Sequence, residues 1–163
     1  MHALITGGAR SGKSAFAEGL VLSWGARPLY IATAEDRGGE MGARIAAHVA
    51  RRGEAWETRA APLDLAAALD DPRPALVDCL TLWLSNLMEA GRDIAAETEA
   101  LSTALAARAA PTALVTSEVG GGIVPMEPLS RRFRDEAGAL NQAIAATADE
   151  MHLVVAGCPM RIK

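Results

Sequence analysis

Gly7 to Ser14 reads GGARSGKS, the spacing G-x-x-x-x-G-K-[ST], between the apolar run HALIT and a segment of helical pattern. Glycines let successive backbone N–H groups curl around phosphate oxygens, and a helix opening directly behind them adds its positive end. In this reading Gly7, Gly8, Ala9, Arg10, Ser11, Gly12, Lys13 and Ser14 bind a nucleotide's phosphates. Lys13 is catalytic, reaching the β- and γ-phosphates, and Ser14 offers its hydroxyl to Mg²⁺. Of sixteen basic residues only Lys13 and Lys163 are lysine, so position 13 is not the usual surface choice of this chain. A compact ammonium rather than a planar fork fits a point between phosphates. The plain alternative is a glycine-rich turn with a chance lysine, which neither the flanks nor the scarcity of lysine favours.

Three further places carry groups that do chemistry. Asp78 ends the apolar run ALVD, where a carboxylate holds the second side of Mg²⁺, usually through water; it can instead, or at the same time, cap the helix that follows. Glu118 lies in TSEVGGGIVP, at the carboxyl end of another expected strand, where ligands of open α/β sheets sit. It reads as a base or a second carboxylate near the metal, or simply as an acid on a flexible loop. In RIAAHVARRG, helical spacing puts Arg44, His48 and Arg51 on one stripe beside an apolar stripe of Met41, Ile45 and Val49. Flanking arginines favour the neutral imidazole, a nucleophile or base. A surface histidine with no task is the alternative. Arg131, Arg132 and Arg134 form either a solvated basic face or a phosphate contact, and Trp24, Trp56 and Trp83 read as packing residues.

These groups need a scaffold that presents them at one edge. Strands are expected at HALIT, PLYIAT, PALVDCL, TALVTSEV and MHLVVAG, with a short extended piece at 56–58. Helices are expected from Ser11 to about Trp24, from Gly38 to Arg52, at PLDLAAALDD, at LTLWLSNLMEA, from Asp93 to Ala109 and from Leu129 to Ala148. Strands alternating with helices imply an α/β fold, a mostly parallel sheet with helices on both faces. With the phosphate loop after the first strand, this is a P-loop NTPase-like (RecA-like) arrangement. At 163 residues, half of them hydrophobic, one nucleotide-binding domain over residues 1–163 is expected, with no disordered segment. No apolar run approaches the roughly 18 residues of a membrane span. The amino terminus turns to glycine and charge too early for a signal peptide. Two isolated cysteines suggest neither a disulfide framework nor a metal site, so a cytoplasmic protein is expected. The net charge of −4 argues against a nucleic-acid partner.

Taken together, ITGGARSGKS, YIATAE, EMGARIAAHVARR followed by Trp56, LVDCLTLWLSNL, SEVGGGIVP, RRFRDEAGALNQ and VVAGCPMRIK resemble the bifunctional adenosylcobinamide kinase/adenosylcobinamide-phosphate guanylyltransferase family of cobalamin biosynthesis. The resemblance runs through nearly the whole chain in order. It departs from the family pattern at MEPLSRR, which lacks a usual asparagine, and at GCPMRIK, where cysteine and methionine replace leucines. The resemblance implies phosphorylation of adenosylcobinamide by ATP or GTP. It then implies transfer of GMP from GTP to the new phosphate through a guanylyl-histidine, giving adenosyl-GDP-cobinamide. The matching histidine is His48, with Arg44, Arg51 and Glu118 as substrate or phosphate contacts, Mg²⁺ as cofactor, and a homotrimer as the assembly. A small-molecule kinase of another pathway, or a RecA-like ATP-binding module, would share the phosphate loop but leave His48 and EVGGGIVP unexplained.

Overall fold

The structure, a computed structural model, describes residues 1–25, 27–35 and 55–163. Its strands are β1 (His2–Thr6), β2 (Leu29–Ala32), β3 (Glu57–Ala60), β4 (Ala75–Asp78), β5 (Thr112–Val115), β6 (Glu150–Val155) and β7 (Cys158–Arg161). Its helices are α1 (Lys13–Leu22), α2 (Leu65–Ala68), α3 (Leu80–Glu89), α4 (Ile94–Ala107) and α5 (Pro128–Thr147). The strands form one sheet in the order β3-β2-β4-β5-β1-β6-β7. All neighbours are parallel except β6 and β7.

Alternation along the strands sorts side chains onto two faces, as a period of two requires. Leu4, Leu29, Ile31, Ala75, Val77 and Leu114 face α2 to α5, where Trp83, Leu101, Leu105 and Ile144 complete a core. Ala3, Ile5, Tyr30, Leu76, Ala113 and Val115 face the other way, toward Ala17 and Val21 of α1. Helices therefore cover both faces, as the alternation of elements predicts. Trp83 is 1% exposed and donates its Nε1–H to the Leu63 carbonyl at 2.7 Å, while Trp56 packs edge-on against Tyr30. Both tryptophans serve packing.

Three local differences from the sequence expectation have clear causes. The expected strand TALVTSEV stops at Val115, because Thr116 and Ser117 turn to side-chain partners: Thr116 Oγ1 donates to Asn141 Oδ1 and Ser117 N–H to Thr81 Oγ1. The expected helix at PLDLAAALDD shrinks to α2. There Asp71, held by the Arg59 and Arg73 guanidiniums, ties the chain to the amino end of the sheet. The strand β7 has no periodic signal: all four residues are exposed and one is Pro159, tolerated because β7 is an edge. Asp93 caps α4 by accepting from the Ala96 N–H, and Glu127 caps α5 by accepting from Leu129 and Ser130. The expected helix from Gly38 to Arg52 lies outside the described residues. Among the described residues no helix is long and apolar enough to cross a membrane.

Candidate nucleotide and acceptor site

The loop between β1 and α1 is fixed by close backbone packing. A Cβ on Gly7 would stand 2.4 Å from the Val154 carbonyl oxygen and 2.6 Å from Ser11 Oγ, so only glycine fits. Gly12 caps α1 in the left-handed region at φ 93°, and its missing side chain admits the Gly157 Cα. Main-chain bonds tie the loop on both flanks. The Glu118 N–H donates to the Gly7 carbonyl at 3.0 Å, and the Gly157 N–H to the Ser11 carbonyl at 2.8 Å. No side chain caps α1, so its first-turn N–H groups remain for an anion. Lys13 Nζ folds back over the loop and donates to the Gly8 carbonyl at 3.0 Å.

Asp78 lies at the carboxyl end of β4 in register with Val115, which pairs with Ile5 of β1. Two strand spacings separate it from β1, about 10 Å. It alternates with Val77 and so shares the α1 face with Leu76 and Tyr30. There the Tyr30 hydroxyl donates to Asp78 Oδ2 at 2.6 Å. The capping alternative is not realised, since the N-cap of α3 is Cys79 rather than Asp78 and no side chain makes a cap bond there. Ser14 and Asp78 thus offer a hydroxyl and a carboxylate on one face, the hard oxygen donors Mg²⁺ takes while retaining waters and phosphate oxygens. Two such donors suit that habit; among the described residues no cluster of three or more His, Cys, Asp or Glu forms an all-protein cage. Neighbouring Cys79 is buried, and burial with the Asp78 charge pushes its thiol up, away from thiolate reactivity.

A buried polar net holds the ends of β2 and β4 together. Thr33 Oγ1 donates to the Cys79 carbonyl and accepts the Cys79 N–H, both at 2.8 Å. Asn86, itself buried, donates from Nδ2 to the carbonyls of Thr33 at 2.8 Å and Pro62 at 3.0 Å. The sequence reading missed Tyr30, Thr33 and Asn86. The signals in hindsight are a tyrosine within the otherwise apolar strand LYIA and an asparagine inside the apolar helix LTLWLSNLME.

Glu118 is exposed, and its Oε1 accepts the Gly120 N–H at 2.5 Å, which turns the glycine-rich loop back on itself. Arg131 donates to the carbonyls of Pro125 at 3.0 Å and Met126 at 2.6 Å, fixing the far end of that loop, and Arg132 pairs with Glu136 one helical turn on. The structure therefore brings Gly7 to Ser14, Asp78 and Glu118 to one edge of the sheet. His48, Arg44 and Arg51 lie outside the described residues.

Residues 3–162 match the family described as cobinamide kinase / cobinamide phosphate guanyltransferase. The bifunctional adenosylcobalamin biosynthesis protein CobP of Pseudomonas aeruginosa is 48% identical over 169 residues, covering all of this chain and 98% of the relative. The bifunctional adenosylcobalamin biosynthesis proteins CobU of Escherichia coli and Salmonella typhimurium are each 41% identical, over 182 and 184 residues, with full coverage of both chains. With the geometry of the glycine-rich loop, its flanking ties and the whole-length match in agreement, this chain belongs to the cobinamide kinase / cobinamide phosphate guanylyltransferase family.

Proposed function

We propose that one phosphate loop, Gly7 to Ser14, serves both reactions of this kinase and guanylyltransferase, with residues 1–163 acting as a single domain. The observation that carries the proposal is the joint placement of the loop, Asp78 and Glu118 at one sheet edge. In the first reaction the hydroxyl oxygen of adenosylcobinamide attacks the γ-phosphorus of ATP or GTP. The bond to the β-phosphate oxygen breaks and the nucleoside diphosphate leaves. Lys13 swings from the Gly8 carbonyl to the β- and γ-phosphates, and Glu118 takes the hydroxyl proton. Ser14 and Asp78 would hold Mg²⁺, which when bound neutralises the triphosphate.

In the second reaction a neutral His48 ring nitrogen attacks the α-phosphorus of GTP and pyrophosphate departs, its charge offset by Arg44 and Arg51. An oxygen of adenosylcobinamide phosphate then attacks the same phosphorus and the P–N bond breaks, giving adenosyl-GDP-cobinamide. We assign the working enzyme as a cytoplasmic homotrimer, following the family resemblance. Incubation with GTP labelled in its α-phosphate, with and without adenosylcobinamide, tests this reading. Wild type becomes covalently labelled and discharges the label to the phosphorylated acceptor, and His48→Ala takes up none. Lys13→Ala loses both activities. Persistent labelling of His48→Ala, or full guanylyl transfer by Lys13→Ala, refutes the scheme.

A further inference from the structure

In-line transfer needs the acceptor to approach the phosphates from the side opposite the leaving group. The loop helix α1 and Asp78 occupy one face of the sheet edge, which leaves the α3–α5 face for the acceptor. On that face a groove of about 530 Å³ lies between α3, the loop after Glu118 and the first turns of α5. Met88, Val119, Pro125, Leu129 and Phe133 give it apolar walls. In the loop that borders it Ile123 and Met126 are 98% and 96% exposed. The groove begins one residue from Glu118, whose N–H is bonded to the phosphate loop.

One cation stands in the groove wall. Arg131 and Arg132 are engaged as described, whereas Arg134 has no hydrogen-bond or ion-pair partner among the described residues. We infer that this groove is the acceptor subsite, the corrinoid lying on its apolar wall and Arg134 engaging the phosphate of the phosphorylated acceptor. The inference rests on the family reading above. It adds a division of labour: the apolar wall serves both acceptors, whereas Arg134 distinguishes the phosphorylated one from the alcohol. A guanidinium matches a phosphate in charge and in fork geometry, and has nothing comparable to hold on an alcohol.

Adenosylcobinamide and adenosylcobinamide phosphate are titrated by visible absorbance into wild type, Arg134→Gln and Leu129→Ser, each also sized in solution and tested for covalent GMP labelling without acceptor. Leu129 is largely exposed, so its variant folds. Arg134→Gln is expected to weaken the phosphorylated acceptor about tenfold, the scale of one charge-assisted hydrogen bond, and to leave the alcohol within about twofold. Leu129→Ser is expected to weaken both, while all three proteins label equally with GMP. Unchanged affinities in both variants overturn the proposal. So does a Leu129→Ser protein that changes oligomeric state yet binds both acceptors normally, which would give the groove to a second copy of the chain. Failure of wild type itself to label or turn over would instead strike the functional reading beneath it.

Discussion

Gly7 and Gly8 are adjacent in the glycine-rich loop between β1 and α1, yet the structure assigns them opposite sensitivities to one added methyl. At Gly7 the new Cβ would lie 2.4 Å from a backbone oxygen of Val154, a core residue of β6 that cannot turn aside. Relief needs about 1 Å of separation between the loop and β6, a strain of about 1–3 kcal/mol. Loosening of the Gly7 carbonyl from the Glu118 N–H adds about 1 kcal/mol. At Gly8 a Cβ meets nothing within 4 Å. Gly8→Ala should therefore keep its stability within about 0.5 kcal/mol. For a chain of this length each kcal/mol moves the midpoint by about 2–4 °C, so Gly7→Ala should melt roughly 5–15 °C below wild type. Thermal unfolding followed by circular dichroism reads both variants. The reasoning fails if Gly7→Ala melts with wild type, or if Gly8→Ala falls as far.

Tyr30→Phe removes the donor to Asp78; nucleotide binding should then need several-fold more Mg²⁺ for half-saturation, measured by titration with a non-hydrolysable analogue, and an unchanged Mg²⁺ requirement would clear Tyr30 of that task. Asn86→Leu strands the Thr33 and Pro62 carbonyls in the interior and should cost about 2–5 kcal/mol by urea unfolding. A loss below about 1 kcal/mol would show that water replaces the amide. Burial chiefly, with help from the amino terminus, holds His2 below its ordinary value of 6.5, against the opposing pull of Asp149. The unfolded chain therefore binds the proton first, and stability should decline as pH falls through 6.5 toward the lowered folded value. His2→Asn should flatten the melting temperature between pH 7.5 and 5.5; an unaltered slope would place the titration elsewhere.

The sequence announces what is local. The loop glycines, Lys13 and Ser14 stand within eight residues, and the apolar runs around them mark β1, β4 and β5 within a residue or two at most ends. Asp78 is legible because it closes such a run. Its partner Tyr30 is 48 residues away, joined only through β2 lying beside β4, a pairing that no spacing announces. The same holds for Asn86, whose amide reads as a flaw in an apolar stripe until Thr33 and Pro62 appear opposite it. The edge strand β7 escapes because an exposed, proline-bearing strand has no alternation to detect. The groove escapes because it belongs to three segments, each of which alone looks like an ordinary helix face or a glycine-rich loop.

Both struts of the loop between β1 and α1, from residues 118 and 157, are made by peptide groups alone. At residue 118 the side chain takes no part in that tie and turns to the Gly120 N–H, whereas position 157 sits at φ 81°, a backbone that favours glycine. Beyond the two abutments, at MEPLSRR and after Gly157 in GCPMRIK, neither tie constrains the side chains. What cannot be released is the course of the main chain at either abutment, so for the fold of the loop an insertion there costs more than an exchange of the side chain at residue 118.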